Sequence, residues 1–265
     1  MSTETILIAF GLTLVAGLST GIGSMLAFFT KRTNTKFLAT SLGFSAGVMI
    51  YVSFMEMMPQ AKLNLIESFG DRIGTFYLLL AFFGGMGMIT LIDFLIPEDK
   101  NPHEMHNVEE LSKKQTGLKK TGMLVALSTG IHNFPEGIAT FTSALNSMEI
   151  ALPITAAIAI HNIPEGIAVS VPIYQATGNK KKAFWLSFLS GMAEPVGALF
   201  GFLILLPFWT PAINGFILAA VSGIMVFISI DELLPSAQKY GEHHLSISGL
   251  VGGMVIMALS LFLFI

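Results

Sequence analysis

The stretch "IHNFPEGIA" (131–139) returns as "IHNIPEGIA" (160–168), 29 residues later and with one change, Phe134 against Ile163. Each copy sits inside an apolar run long enough to span a membrane, where an ionisable side chain is costly. Any fold for this chain has to explain why the same histidine, asparagine, proline and glutamate occur twice in such surroundings.

The surroundings are uniform. Of 265 residues, 53% are hydrophobic and 12% charged, and the mean hydropathy is +0.72. Soluble domains carry about 25% charged residues, so the expectation is an all-α polytopic membrane protein. Alternation of strand period is absent, which argues against a β-barrel. The net charge is −3, and the lysines and arginines sit in short loops, so no nucleic-acid partner is expected. With no cysteine in the chain, disulfides, iron–sulfur clusters and thiolate metal sites are excluded. Any metal must be held by nitrogen and oxygen.

Eight apolar runs of about 20 residues predict helices near 5–29, 37–58, 73–96, 121–145, 150–177, 183–206, 212–234 and 246–265. The first cation, Lys31, follows the first run, so that segment is expected to stay as a helix and not act as a cleaved signal. The whole chain, 1–265, reads as one transmembrane domain with a polar loop at 97–120. Of the 14 lysines and arginines, all except Lys62 and Arg72 fall in the loops after the first, third, fifth and seventh spans. By the positive-inside rule both termini face outward, and the 97–120 loop is cytoplasmic. That loop carries His103 and His106, two spaced residues that read as part of a solvated linker.

A second echo organises the spans. "FMEMMPQA" (54–61) closes the second and "IDELLPSA" (230–237) closes the seventh, each with glutamate three residues before proline. On the charge-derived orientation these two spans exit on opposite faces. Spans one to three and six to eight then read as inverted repeats flanking a central pair, a 3+2+3 arrangement typical of transporters.

The repeated motif occupies that central pair. His132 and His161 each lie 11 residues into their predicted span, about 16 Å deep and near the middle of a ~30 Å hydrocarbon core. Glu194, in "SGMAEPVGA" (190–198), lies equally deep in the sixth span. His132 and Glu136 are i,i+4 and Asn133 and Glu136 are i,i+3, so all three share a helix face, as do His161, Asn162 and Glu165. Pro135 and Pro164 deny a hydrogen bond to the carbonyls four residues earlier, which predicts a kink in each helix. Hydroxyls along the fourth span, among them Ser128, Thr129, Thr140, Thr142 and Ser143, either line a path or bond back to helix carbonyls.

An acidic residue at a helix centre costs roughly 2.5–3.5 kcal/mol on insertion scales, so three glutamates need compensation. A divalent cation between Glu136 and Glu165 supplies it, and His132 with His161 completes a four-ligand set. Zn²⁺ suits such donors, as do Fe²⁺, Mn²⁺ and Co²⁺. Asn133, Asn162 and Glu194 offer an oxygen-rich second position that shares both glutamates. The plainer alternative, polar side chains that only tie helices together, accounts poorly for two copies plus a third glutamate at one depth.

At these residues the sequence resembles the ZIP (Zrt-, Irt-like) metal transporters. The likeness runs through "SLGFSAGVM", "MEMMP", "HNFPEGIAT", "HNIPEGIAV" and "DELLP". It implies a multi-pass protein of the cell membrane that takes Zn²⁺ and other divalent cations, Cd²⁺ among them, into the cytoplasm as transported substrates, with no cofactor. It implies a binuclear site, one metal held by His132, Glu136, His161 and Glu165 and the other by Asn133, Glu136, Asn162, Glu165 and Glu194. Homodimers are widely reported in the family. Two other classes stand beside it. An intramembrane metal-dependent hydrolase would use the metal to activate water, although the HExxH signature is missing. A metal sensor would bind without flux.

Overall fold

The computed structural model describes residues 2–27, 35–95, 115–239 and 242–263. They form eight helical rods. The first is α1 (Thr3–Ala27). The second, α2, is α-helical over Thr35–Val52, widens into a π-helical turn at Ser53–Met57, and continues as α-helix over Met58–Phe69. Next come α3 (Asp71–Leu95), α4 (Gln115–Asn146) and α5 (Met148–Thr177). The sixth, α6, runs over Lys180–Gly191 and Ala193–Phe200, then through a π turn, Gly201–Leu205, and a 3₁₀ turn, Leu206–Phe208. α7 comprises Pro211–Ile228, a π turn at Ser229–Leu233, and Leu234–Lys239. α8 is His243–Leu263.

Among the described residues seven of these rods are long and apolar enough to cross a membrane. The eighth, α4, has the length, at 32 residues, but is diluted by the polar residues of its motif. Large apolar side chains stand exposed along α1, α3, α6 and α8, including Leu7, Val15, Phe76, Leu80, Phe83, Leu203, Val251 and Leu259. A water-facing surface does not tolerate apolar patches of that extent, and lipid does. α2, α5 and α7 are the more buried rods, and they supply most of the main core: Met49, Met57, Leu65, Ile154, Ile158, Leu218, Met225 and Ile228.

Sequence and structure differ at several helix ends. α2 runs eleven residues beyond the expected Met58, to Phe69. Hydropathy falls there because Lys62, Glu67 and Ser68 are polar, but Ala61 and Leu65 stay buried against α7. An amphipathic extension satisfies packing without satisfying a hydropathy threshold. α4 begins at Gln115, six residues before the expected Thr121. His103 and His106 lie outside the described residues.

Prolines shape several of the rods. The α-helical path continues unbroken through Pro135 and Pro164. The irregular turns instead precede Pro59, Pro207 and Pro235. In each, the residue before proline donates five residues back: Met58 N–H to the Ser53 carbonyl, Leu206 to Gly201, Leu234 to Ser229. Proline cannot donate to the carbonyl four residues earlier and its ring crowds it, so the preceding turn widens. α6 also breaks at Met192, three residues before Pro195.

Four helix pairs make the closest backbone-to-backbone approaches. In α2 and α8 a Cβ on Gly43 would lie 2.1 Å from the Ser246 carbonyl oxygen, and one on Gly47 would lie 2.0 Å from that of Leu250. The contacts advance together, so these helices run parallel. In α1 and α5 the Ala16 carbonyl meets the Asn162 side chain and the Thr20 carbonyl meets Gly166, again advancing together. Gly85 and Gly223 join α3 to α7, and Gly137 and Gly197 join α4 to α6. Each of these four pairs couples two odd or two even helices, which run in the same direction in a chain threaded back and forth through a bilayer.

A side chain at Gly47 would meet fixed carbonyl atoms, with no flexible tip to yield. Gly47→Val is therefore expected to part α2 from α8 and lower the melting temperature by roughly 10 °C or more. Gly11→Ala, which meets nothing within 4 Å, should leave it unchanged. Thermal unfolding of the detergent-purified protein, followed by size-exclusion, is the measurement.

Candidate metal centre

Three rods deliver the motif residues to one place. Asn133, His161, Asn162 and Glu194 are fully buried, Glu136 is 1% exposed and Glu165 5%. The backbone of His132 belongs to α4; its side chain lies outside the described residues.

His161 is oriented by its own helix. Its Nδ1 lies 3.1 Å from the Ala157 carbonyl oxygen, which can only accept, so Nδ1 is assigned the proton. Nε2 then keeps its lone pair and faces Glu136 Oε2 at 3.4 Å. Two ligand-type atoms face each other. Donors about 2.0–2.2 Å from one tetrahedral ion stand roughly 3.3–3.5 Å apart, so the spacing fits a shared cation. The Nδ1 contact is the usual way a protein fixes a metal-binding imidazole.

Asn133 stands against Glu165. With Nδ2 donating to the Ser190 carbonyl at 3.4 Å, its Oδ1 lies 3.1 Å from Glu165 Oε1 and 3.2 Å from the Thr129 carbonyl oxygen. Acceptors then face acceptors. With the amide turned over, Nδ2 donates to both oxygens. The turned amide is the orientation this site supports, an ordinary hydrogen bond from Asn133 to Glu165.

On the far side Asn162 Nδ2 donates to the Ala16 carbonyl at 2.9 Å and to Glu194 Oε1. Glu136 and Glu165 both lie close enough to Glu194 for their charges to interact. Three buried oxygens here, Glu136 Oε1, Asn162 Oδ1 and Glu194 Oε2, have no hydrogen-bond partner. Buried acceptors are ordinarily satisfied, and orphans in this number are ready to take a cation. Among the described residues no three histidine, aspartate or glutamate side chains form a closed cage. The structure thus brings Glu136 to His161, Asn133 to Glu165 and Asn162 to Glu194.

Sequence reasoning missed the supports. The Ser45 hydroxyl, from α2, donates to the His161 carbonyl at 3.3 Å, and the Ala157 and Ala16 carbonyls hold side chains of the motif. The signal for Ala157 was available, since it stands four residues before His161. Of the α4 hydroxyls, Thr142 bonds back to the Ile138 carbonyl at 2.8 Å, whereas Thr140 and Ser143 are buried without partners. The side chain of Ser128 lies outside the described residues.

The comparisons agree with one another. A family model described as ZIP Zinc transporter matches residues 96–261. The chain is 60% identical over 265 residues to the protein named zinc transporter ZupT of Lysinibacillus sphaericus, covering 98% of each. It is 58% identical over 257 residues to that of Streptococcus mutans, covering 97% of each. To that of Clostridium perfringens it is 56% identical over 278 residues, covering 99% of this chain and 98% of the other. On a family model that matches more than half of it, and on relatives alike over nearly its whole length, the chain belongs to the ZIP family of zinc transporters.

Proposed function

We propose that this protein carries Zn²⁺ across the cell membrane into the cytoplasm through a two-ion site at mid-membrane. One ion sits between His132, Glu136, His161 and Glu165. The other is held by Asn133, Asn162 and Glu194 with the same two glutamates. Zinc is cargo, not a cofactor, and members of this family are transporters and not enzymes, which sets the hydrolase reading aside. Fe²⁺, Mn²⁺, Co²⁺ and Cd²⁺ have coordination chemistry close enough to share the path. The observation that carries this reading is the buried contact of His161 Nε2 with Glu136 Oε2, beside three buried oxygens without partners, Glu136 Oε1, Asn162 Oδ1 and Glu194 Oε2.

The inverted-repeat, 3+2+3 architecture belongs to the same reading. It is supported by matched π turns in α2 and α7 and by matched pairs: α2 with α8 against α7 with α3, and α1 with α5 against α6 with α4. Outward termini and a cytoplasmic 97–120 loop rest on the lysine and arginine distribution. A homodimer is carried forward on the resemblance alone. Adjacent ions with bridging glutamates give a means of release, because a second cation weakens the hold on the first by repulsion.

Glu136→Ala and Glu165→Ala are each expected to lower ⁶⁵Zn²⁺ uptake into proteoliposomes at least about tenfold, since each removes a carboxylate shared by both ions. Wild-type uptake by either well-inserted variant would remove the site, and binding without flux in the unmutated protein would favour a sensor.

Imidazole binds metal only through an unprotonated nitrogen, and free imidazole takes its proton near pH 6.5. Zn²⁺ affinity should therefore fall on acidification from about pH 7.5 to 5.5, as protons compete with the ion for its ligands. Calorimetric titration across that range checks it, and a flat profile would exclude imidazole ligation.

A further inference from the structure

α1 brings no histidine, aspartate or glutamate to the site, its one carboxylate being Glu4 in the first turn, yet it meets the site by the same plan as α6. Gly17 and Gly191 face each other, and a Cβ on either would lie 2.6 Å from the other's carbonyl oxygen. From there the two helices correspond at a constant separation of 174 residues. The carbonyls of Ala16 and Ser190 stand against the side chains of Asn162 and Asn133 respectively, at 2.9 and 3.4 Å. Those of Thr20 and Glu194 press on Gly166 and Gly137, 2.1 and 2.0 Å from where a Cβ would stand. Gly23 and Gly197 press on the carbonyls of Ile163 and Phe134, at 1.9 and 2.1 Å. Each partner in α5 is also the counterpart of its partner in α4 within the repeated motif.

The side chain at position 20 is thus the counterpart of Glu194. Glu194 reaches Asn162; on the other side stands a threonine, fully buried, whose Oγ1 has no partner. It lies against Gly191, where a Cβ would come within 2.7 Å of that oxygen, next to the Ser190 carbonyl that stands against Asn133. Threonine ends two bonds short of where glutamate ends, and a buried polar atom at such a distance is ordinarily reached through water.

We propose that Thr20 is a further binding residue of the ion chamber, holding a water of the ion's hydration shell on the Asn133 side. Being uncharged, it confines the third carboxylate to the Glu194 side and makes the two ion positions unequal. This rests on the two-ion, inverted-repeat reading above, and the experiment separates the two.

Zn²⁺ bound per protomer is counted by calorimetry on purified full-length variants, with uptake kinetics measured in proteoliposomes. The wild type should hold two ions and Glu194→Ala one; a wild type holding one, or a Glu194→Ala protein holding none, overturns the two-ion reading itself, and a Glu194→Ala protein holding two overturns the part given to Glu194 and with it that of Thr20. Adding Thr20→Glu to Glu194→Ala should return the count to two by supplying the carboxylate from the opposite helix. A folded double variant that still holds one overturns the role of Thr20 and leaves the two-ion reading standing. Should the double variant not fold, Thr20→Val decides. It is expected to keep two ions and raise the KM for Zn²⁺ about three- to tenfold, with Thr20→Ser at the wild-type value. A KM for Thr20→Val equal to wild type overturns the proposal.

Discussion

The centre of this protein depends on backbone touching backbone. Gly137 and Gly166, the glycines of the two motif copies, let α4 settle on the Glu194 carbonyl and α5 on the Thr20 carbonyl with no side chain between. That closeness puts Asn162 within reach of Glu194 and of the Ala16 carbonyl. In lipid no hydrophobic force pushes helices together, so close van der Waals packing has to do so, and small residues make it attainable. A methyl at either glycine would displace the helix carrying it, and the ligand atoms would move as well.

The same closeness explains how three carboxylates can be buried at one level. Each has a neighbour suited to its charged or hydrogen-bonded state: His161 beside Glu136, Asn133 beside Glu165, Asn162 beside Glu194. Glu136 Oε1 and Glu194 Oε2 keep no hydrogen-bond partner.

Much of this was legible in the sequence. Apolar runs of span length gave the helices, and the doubled motif identified the residues that converge, because ligand-type side chains in lipid need one another. The extension of α2 to Phe69 was hidden because Lys62 and Glu67 lower hydropathy while Ala61 and Leu65 keep one face buried. Pro135 and Pro164 stand inside unbroken α-helix, whereas π turns form ahead of Pro59, Pro207 and Pro235. The neighbouring turns at Phe134 and Ile163 are clamped against Gly197 and Gly23, which holds the helical path there. The part played by α1 was the hardest to see. Glycine and threonine announce no chemistry, and only the spacing of Gly17 with Gly23 matches that of Gly191 with Gly197.

The π turn in α2 has a consequence for the phase of the whole rod. An extra residue in one turn rotates everything beyond it by about 100° relative to an uninterrupted helix. Met49 is buried, and seven residues on an ordinary helix would turn Glu56 inward; instead Met57, Ala61 and Leu65 are buried and Glu56 is half exposed. α7 repeats the offset, with Ser229 and then Ser236 and Ala237 buried and Glu232 half exposed. Each rod is two shafts joined by a coupling whose angle one residue sets. Losing a single residue between Val52 and Met58 would let the turn close as ordinary α-helix with Met57, Ala61 and Leu65 still facing inward, whereas closing it without a loss would swing the rest of the rod round and carry Glu56 into the core.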